Sequence, residues 1–153
     1  MKARAEGPSL RLLTLGAVLL LGALEAPGQA PPKPGDEEWK APARAAKKKN
    51  PIPADEKSIA AGKLVYVGQC LSCHGAFGKG DGPAAKDLPK KAGDLSSPKL
   101  EEQTDGALFW KITEGRTPMP TYEKLLKEED RWMVVNYIRT LMSREKKEEG
   151  GKK

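Results

Sequence analysis

The residues best suited to chemistry lie together in the segment Cys70-Leu71-Ser72-Cys73-His74. Two cysteines three positions apart on a helical turn face the same way, so both thiols can add to the two vinyl groups of one haem. The histidine that follows lies beneath the ring, where its imidazole can bind the iron. This C-x-x-C-H spacing predicts one covalently attached haem c, held by Cys70 and Cys73 with His74 as an iron ligand.

Residue counts exclude several other kinds of site. The chain has two cysteines and one histidine. These are too few for a framework of disulfides or a closed four-ligand zinc site, and one histidine cannot form a two-histidine haem site within the chain. A thioredoxin-like thiol oxidoreductase remains an alternative for the C-x-x-C pair. That alternative requires a βαβ context, and no segment of this sequence alternates convincingly as a strand.

The second axial ligand of the iron must come from another residue type, and methionine is the candidate. The chain has four methionines: Met1, Met119, Met133 and Met142. The first belongs to the predicted targeting segment, and the last two lie on a predicted helix, where methionine usually packs in the core. Met119 instead lies between two prolines, which stiffen its loop and hold the thioether in place. We therefore predict Met119 as the sixth ligand, and a thioether there raises the reduction potential.

Local signals predict three helices that position these residues. Asp55 caps a helix running to about Gly68, and Thr104 caps a second helix that ends at Gly115. A third runs from about Glu128 to Met142, with acidic residues in its first turn. Three or four short helices joined by long loops bury little apolar surface by themselves. The predicted fold is therefore all-α, with helices and loops wrapped around one haem.

The segments outside residues 55–142 have the features of targeting and linker sequences. Residues 1–30 contain basic residues up to Arg11, an uncharged stretch over residues 12–24, and a small-x-small cleavage pattern before residue 31. The uncharged stretch has 13 residues, fewer than the ~20 that span a bilayer. We predict a cleaved signal peptide, with an uncleaved anchor as the alternative.

The composition of residues 31–153 predicts a linker, a folded unit and a tail. Residues 31–54 contain six prolines and almost no apolar periodicity, which predicts a disordered Pro/Lys-rich linker. Residues 143–153 are predicted to be a disordered polar tail. The predicted folded unit between them, residues 55–142, has 13 basic and 13 acidic side chains. The formal net charge of +6 thus comes entirely from flanking segments. Because a nucleic-acid module carries its basic stripe on the folded surface, we predict no nucleic-acid binding.

Several short motifs resemble those of the class I c-type cytochromes, the small bacterial monohaem kind. Gly62 and Tyr66 resemble the Gly-x-x-x-aromatic pair of the first helix in that family, and residues 136–141 resemble its last helix. Residues 112–120 resemble its sixth-ligand segment, and residues 78–83 resemble the loop after the haem motif. The resemblance covers nearly all of residues 58–142 and implies the cytochrome c fold.

The resemblance also implies roles for two further residues in haem binding. In such proteins a proline carbonyl accepts the proton on Nδ1 of the proximal histidine, which assigns that role to Pro83. Trp110 is expected near the haem edge or a propionate. The family exposes its haem edge near the loops that follow the motif, so the lysines there are expected to face an acidic partner. These are Lys79, Lys86, Lys90 and Lys91.

The function predicted from these residues is single-electron transfer between redox proteins, without enzyme activity. Two strong axial ligands leave no open position for a substrate. A haem enzyme or a gas-binding sensor, with Met119 absent from the iron, is the alternative. The expected partners are an oxidase, reductase or dehydrogenase. This protein is expected to be either a free monomer or a subunit of a larger complex. The expected location is the periplasm, soluble or weakly associated with a membrane surface.

Overall fold

The computed structural model describes the backbone of residues 39–150 and the side chains of residues 39–142. The predicted signal peptide lies outside the described residues, as do residues 31–38 and 151–153. The helices are α1 (Ala43–Ala46), α2 (Glu56–Gln69), α3 (Leu71–His74), α4 (Pro98–Glu101), α5 (Asp105–Glu114) and α6 (Glu128–Gly150), with a 3₁₀ turn at Ala85–Asp87. Residues 39–150 contain no β-strand, and the predicted all-α fold class is confirmed.

The helix starts predicted from capping residues are confirmed. The Asp55 carboxylate accepts a hydrogen bond from the backbone N–H of Ser58 at 2.7 Å, at the start of α2. The Thr104 hydroxyl accepts one from the backbone N–H of Ala107 at 3.2 Å, at the start of α5. Each bond satisfies a donor that the first turn of a helix leaves without a partner. Gly115 ends α5 with φ of 65°, a left-handed conformation that glycine adopts without strain.

The core is built where α2 crosses α6. Gly62 lies directly against the backbone of Met133, and a Cβ on Gly62 would overlap the Met133 carbonyl. The absent side chain lets the two helices approach until the rings of Tyr66 and Tyr137 lie 5.1 Å apart. Phe109 of α5 stacks on Trp132 of α6 with 3.9 Å between ring centroids. The buried cluster comprises Tyr66, Leu108, Phe109, Ile112, Tyr122, Trp132, Val134, Val135, Tyr137, Ile138, Leu141 and Met142.

The structure differs from the predicted disordered linker over residues 39–54, which pack against the helices. We call residues 39–50 the strap. The carbonyl of Ala46 accepts a hydrogen bond from the Thr104 hydroxyl at 2.6 Å, and Asn50 donates one to the Asn136 side chain at 2.8 Å. A Cβ on Gly106 would overlap the carbonyl of Ala45. The glycine in α5 therefore provides the room in which the strap backbone lies.

The last helix is longer than predicted. Its backbone continues to Gly150, through residues that we assigned to a disordered tail. The added residues are mostly arginine, lysine and glutamate, which are residue types with a high helix propensity. Met142 is 3% exposed and lies in the core, as predicted, whereas Met133 is half-buried. Within residues 39–150, no helix combines the length and the apolar composition needed to cross a membrane.

Candidate haem site

The C-x-x-C-H motif lies where α2 ends and the single turn of α3 begins. The backbone N–H of Cys70 donates to the Tyr66 carbonyl at 2.8 Å, the last bond of α2. The backbone N–H of His74 donates to the Cys70 carbonyl at 2.9 Å, which closes the turn that carries the motif. Both cysteines are free thiols and half-buried. The structure therefore brings Cys70, Cys73 and His74 together on one turn, as the spacing predicted.

The imidazole of His74 is fixed through one of its two nitrogens. Its Nδ1 lies 2.9 Å from the carbonyl oxygen of Gly93, which can only accept a hydrogen bond. Nδ1 must therefore carry the proton, which leaves the lone pair of Nε2 for a metal ion. Burial lowers the pKa of His74 and the bond to Gly93 opposes this shift. Burial thus favours the neutral imidazole, the form that binds iron.

The partner of Nδ1 differs from the one that the resemblance implied. Pro83 was expected to supply the carbonyl, but it is exposed, and the carbonyl of Gly93 occupies that position. Gly80 explains how the segment containing Gly93 approaches the motif. Its φ is 72°, and a Cβ there would overlap the carbonyl of Ala92. No local signal in the sequence identifies Gly93, because it follows His74 by 19 residues.

A glycine-rich loop covers the carbonyl end of α3. The backbone N–H groups of Gly80, Gly82 and Ala84 donate to the carbonyls of His74, Cys73 and Ser72 at 2.9, 3.2 and 2.8 Å. The last turn of a helix otherwise leaves these carbonyls without partners. A Cβ on Gly82 would overlap the carbonyls of Ser72 and Leu71. The loop therefore holds the turn in shape only while its backbone can approach this closely.

We expect Gly82→Ala to destabilise the protein by about 2–3 kcal/mol, because the added methyl group must displace the loop from α3. Gly68→Ala is the matched control. Its Cβ would meet nothing within 4 Å, and alanine at this helical position is expected to stabilise by up to about 1 kcal/mol. Urea unfolding followed by circular dichroism measures both. Equal midpoints for the two variants would contradict this account of the loop.

Two tyrosine hydroxyls anchor the chain on either side of the motif. Tyr66 donates to the carbonyl of Gly75 at 2.7 Å, directly after His74. Tyr122 donates to the carbonyl of Gln69 at 2.9 Å, directly before Cys70. Burial raises the pKa of Tyr122 to about 12, and the nearby Cys70 and Cys73 add to this shift. Burial is also the main cause that raises the pKa of Tyr66. Both hydroxyls therefore remain protonated donors at physiological pH.

The loop that carries Met119 folds back onto α5. Arg116 and Met119 exchange two backbone hydrogen bonds of 2.9 and 2.8 Å. A Cβ on Gly115 would overlap the backbone of Pro120, so the fold-back requires glycine. The Met119 side chain is half-buried against the core cluster, as is that of Cys70. Three residues after Met119, the hydroxyl of Tyr122 bonds beside Cys70, so the loop and the motif are held together.

Trp110 lies in a contact with the strap that we did not predict. Its ring is half-buried, with its centroid 6.2 Å from that of Trp39 in the strap. Nζ of Lys111 lies 5.4 Å from the centroid of the Trp39 ring, within the range of a cation–π interaction. The lone tryptophan in a proline-rich segment was the one signal for this contact.

The residues present fit a haem and do not fit a bare metal ion. Within the described residues, no group of three or more His, Cys, Asp or Glu side chains could hold a metal ion. His74 would hold an iron here only with ligands from outside such a cluster, which a porphyrin would supply. Burial raises the pKa of the Cys70 thiol to about 12, with Cys73 adding to the shift. A reactive redox cysteine has a lowered pKa, so this site is unlike that of a thiol oxidoreductase.

Fold and site together are those of a c-type cytochrome. Residues 57–138 match the family described as "Cytochrome C oxidase, cbb3-type, subunit III", and the chain belongs to that family. It is also similar to cytochrome c6 of Rippkaea orientalis (strain PCC 8801 / RF-1). The two are 32% identical over 89 residues, which cover 56% of this chain and 73% of the relative. The prediction of a c-type cytochrome is therefore confirmed.

A solved structure supports the same fold. A chain of the Kuenenia stuttgartiensis reducing HAO-like protein complex Kustc0457/Kustc0458 superposes with a TM-score of 0.54 at 32% sequence identity. The match covers 60% of this chain and 46% of that chain. This protein therefore corresponds to less than half of that neighbour.

Proposed function

We propose that this protein is a monohaem electron carrier with haem c bound covalently through Cys70 and Cys73. The observation that carries the proposal is the fixed imidazole of His74, whose Nδ1 is held by the Gly93 carbonyl at 2.9 Å. With that nitrogen occupied, Nε2 is the atom available to the iron. Met119 is proposed as the second axial ligand because its loop is tied to the residue before Cys70 through Tyr122.

The chain's own groups would keep both ligands in place while one electron enters or leaves. Haem supplies the redox chemistry when it is bound. The tyrosine bonds at both ends of the motif and the bond between His74 and Gly93 oppose movement of the ligands. A site that moves little between oxidation states exchanges electrons without a large reorganisation. Two protein ligands would also leave no position for a substrate, which favours a carrier over an enzyme.

The proposed partners are redox proteins, and the protein works either freely or within a larger assembly. Two comparisons support an assembly, since the family is described by an oxidase subunit and the solved neighbour comes from a protein complex. The proposed location is the periplasm, on the basis of residues 1–30 alone. Comparing the N-terminal residue of the exported protein with Met1 tests the proposed cleavage before residue 31.

The ferric absorption spectrum of the purified full chain tests the proposed ligation. A low-spin spectrum with a sulfur-to-iron charge-transfer band supports His and Met as axial ligands. A high-spin, five-coordinate spectrum would instead indicate the alternative, a haem enzyme or gas-binding sensor. The protein could also lack haem when it is exported from cells that have a functioning haem-attachment system. That result would contradict both the electron carrier and the alternative haem enzyme or sensor.

Tyr122→Phe tests whether the tyrosine bond holds the Met119 loop at the iron. Loss of one buried hydrogen bond should cost about 1 kcal/mol of stability and leave the fold intact. We expect the sulfur-to-iron band to disappear at a lower temperature than in the parent protein, and carbon monoxide to bind the ferrous form more readily. Tyr137→Phe is the control, because within the described residues its hydroxyl forms no hydrogen bond. Equal behaviour of the two variants would mean that Tyr122 does not position Met119.

A further inference from the structure

The strap carries an excess of positive charge that the rest of the folded unit lacks. Residues 39–54 contain five basic and no acidic side chains, whereas residues 55–142 contain 13 of each. The basic residues are Lys40, Arg44, Lys47, Lys48 and Lys49. In a disordered linker this charge would be spread over many conformations. Because the strap packs on the helices, the charge is instead held at one place on the surface.

Contacts along the whole strap hold it against α5 and α6. At its start, the ring of Trp39 contacts that of Trp110 with centroids 6.2 Å apart. In its middle, the Ala46 carbonyl accepts the bond from Thr104. At its end, Asn50 donates to the Asn136 side chain and to the Trp132 carbonyl, at 2.8 and 3.3 Å. The strap therefore belongs to the folded domain.

Three of its five exposed cations form neither an ion pair nor a ring contact with the residues that the structure describes. Arg44, Lys47 and Lys49 are exposed, and none forms an ion pair with a residue that the structure describes. Lys48 differs, since its Nζ lies 5.9 Å from the centroid of the Phe109 ring. We call Arg44, Lys47 and Lys49 the basic strap surface. Like charges within six residues of one another repel, and an anionic surface relieves that repulsion on binding.

We propose that the basic strap surface is a docking site for the carboxylate-rich surface of a partner protein. The proposal rests on the proposed function, because an electron carrier must meet a redox partner. Charge complementarity would speed the encounter. An ordered strap also loses less conformational freedom on binding than a flexible linker does. The surface lies on a different segment of the chain from the lysines predicted to surround the haem edge, at residues 79–91. A partner that contacts both sets of basic residues would therefore be held in one orientation.

The test uses the full haem-loaded chain and a carboxylate-terminated monolayer on gold as the acidic surface. Bound protein is measured by mass on a quartz microbalance, and the haem by voltammetry of the same film. The test variant is R44E/K47E/K49E. The matched control is K57E/K63E/K124E, three exposed lysines elsewhere whose reversal changes the net charge equally. At about 0.05 M salt, where exposed charges are weakly screened, we expect the test variant to bind about tenfold less tightly. The control should change less than twofold.

The outcomes separate this proposal from its rivals. Equal losses in the two triple variants would mean that net charge alone drives binding, and would overturn the proposal. A tenfold loss in K86E/K91E with no loss in the strap variant would assign docking to the haem-edge lysines instead. Tighter strap-dependent binding to phosphatidylglycerol vesicles than to the carboxylate surface would identify a membrane as the target. Absence of a haem wave in every variant would contradict the proposed function, whereas the bound mass would still decide the role of the strap.

Discussion

Replacing both Cys70 and Cys73 with alanine is expected to remove the haem from the protein on a denaturing gel. The thiols are the proposed points of covalent attachment, and the chain has no other cysteine. Haem staining of the exported protein measures the loss, which should be complete. Ser72→Ala is the matched control, since Ser72 is exposed between the two cysteines and should keep the stain. Haem stain retained by the double variant would exclude thioether attachment.

The same double variant should also lose structure, and mostly in one region. No hydrophobic side chain between residues 75 and 104 is fully buried, and Leu95 and Leu100 are only partly so. A 30-residue stretch with so little buried apolar surface cannot offset the entropy of ordering it. We expect amide protons there to lose their protection from hydrogen exchange, while the crossing of α2 and α6 keeps part of its protection. A double variant that protects residues 75–104 as the parent does would show that haem is not their missing core.

The parts of the structure that were predictable are those with a local cause. Asp55 and Thr104 cap their helices through side-chain bonds to residues three positions on. Gly115 ends α5 because of its own backbone conformation. The motif turn is similarly local, since Cys70, Cys73 and His74 are fixed by one turn of helix. Each of these features depends on a few neighbouring residues, so the sequence reveals it directly.

The parts that were missed depend on contacts between distant segments. The carbonyl that holds His74 belongs to Gly93, and any residue has a carbonyl, so nothing in the sequence identifies it. The bond from Tyr122 to the Gln69 carbonyl joins residues 53 positions apart. The resemblance to class I cytochromes indicated the segments involved, but it assigned the Nδ1 partner to Pro83.

The strap was missed for a different reason. The prolines and lysines of residues 31–54, which include the strap, are typical of disordered linkers, and that composition outweighed the single aromatic residue, Trp39. One glycine and one tryptophan indicated instead that this segment packs on the helices. Gly106 lies inside α5, where glycine is costly unless something needs the space, and Trp39 has a partner in Trp110. Prolines also reduce the entropy that the segment loses when it packs.

Met119→Ala is expected to have the largest effect on redox behaviour. Alanine cannot bind iron, so the sulfur-to-iron charge-transfer band should vanish and carbon monoxide should bind the ferrous protein. A thioether opposite an imidazole raises the reduction potential. Its loss should therefore lower the potential by about 0.1 V or more, a fraction of the roughly 0.8 V range that axial ligands span. The fold should survive, because the backbone bonds between Arg116 and Met119 do not involve the side chain.

The other two methionines of the folded unit provide controls that separate ligation from packing. Met142 is 3% exposed in the core, so Met142→Ala should cost about 2–4 kcal/mol of stability and keep the charge-transfer band. Met133 is half-buried, and Met133→Ala should cost less and also keep the band. If Met133→Ala abolished the band while Met119→Ala kept it, the sixth ligand would lie on α6. The fixed loop of Met119 would then need another explanation. Spectra of the three variants at matched protein concentration decide between these outcomes, because packing defects shift unfolding midpoints whereas ligand loss changes the spectrum of the folded protein.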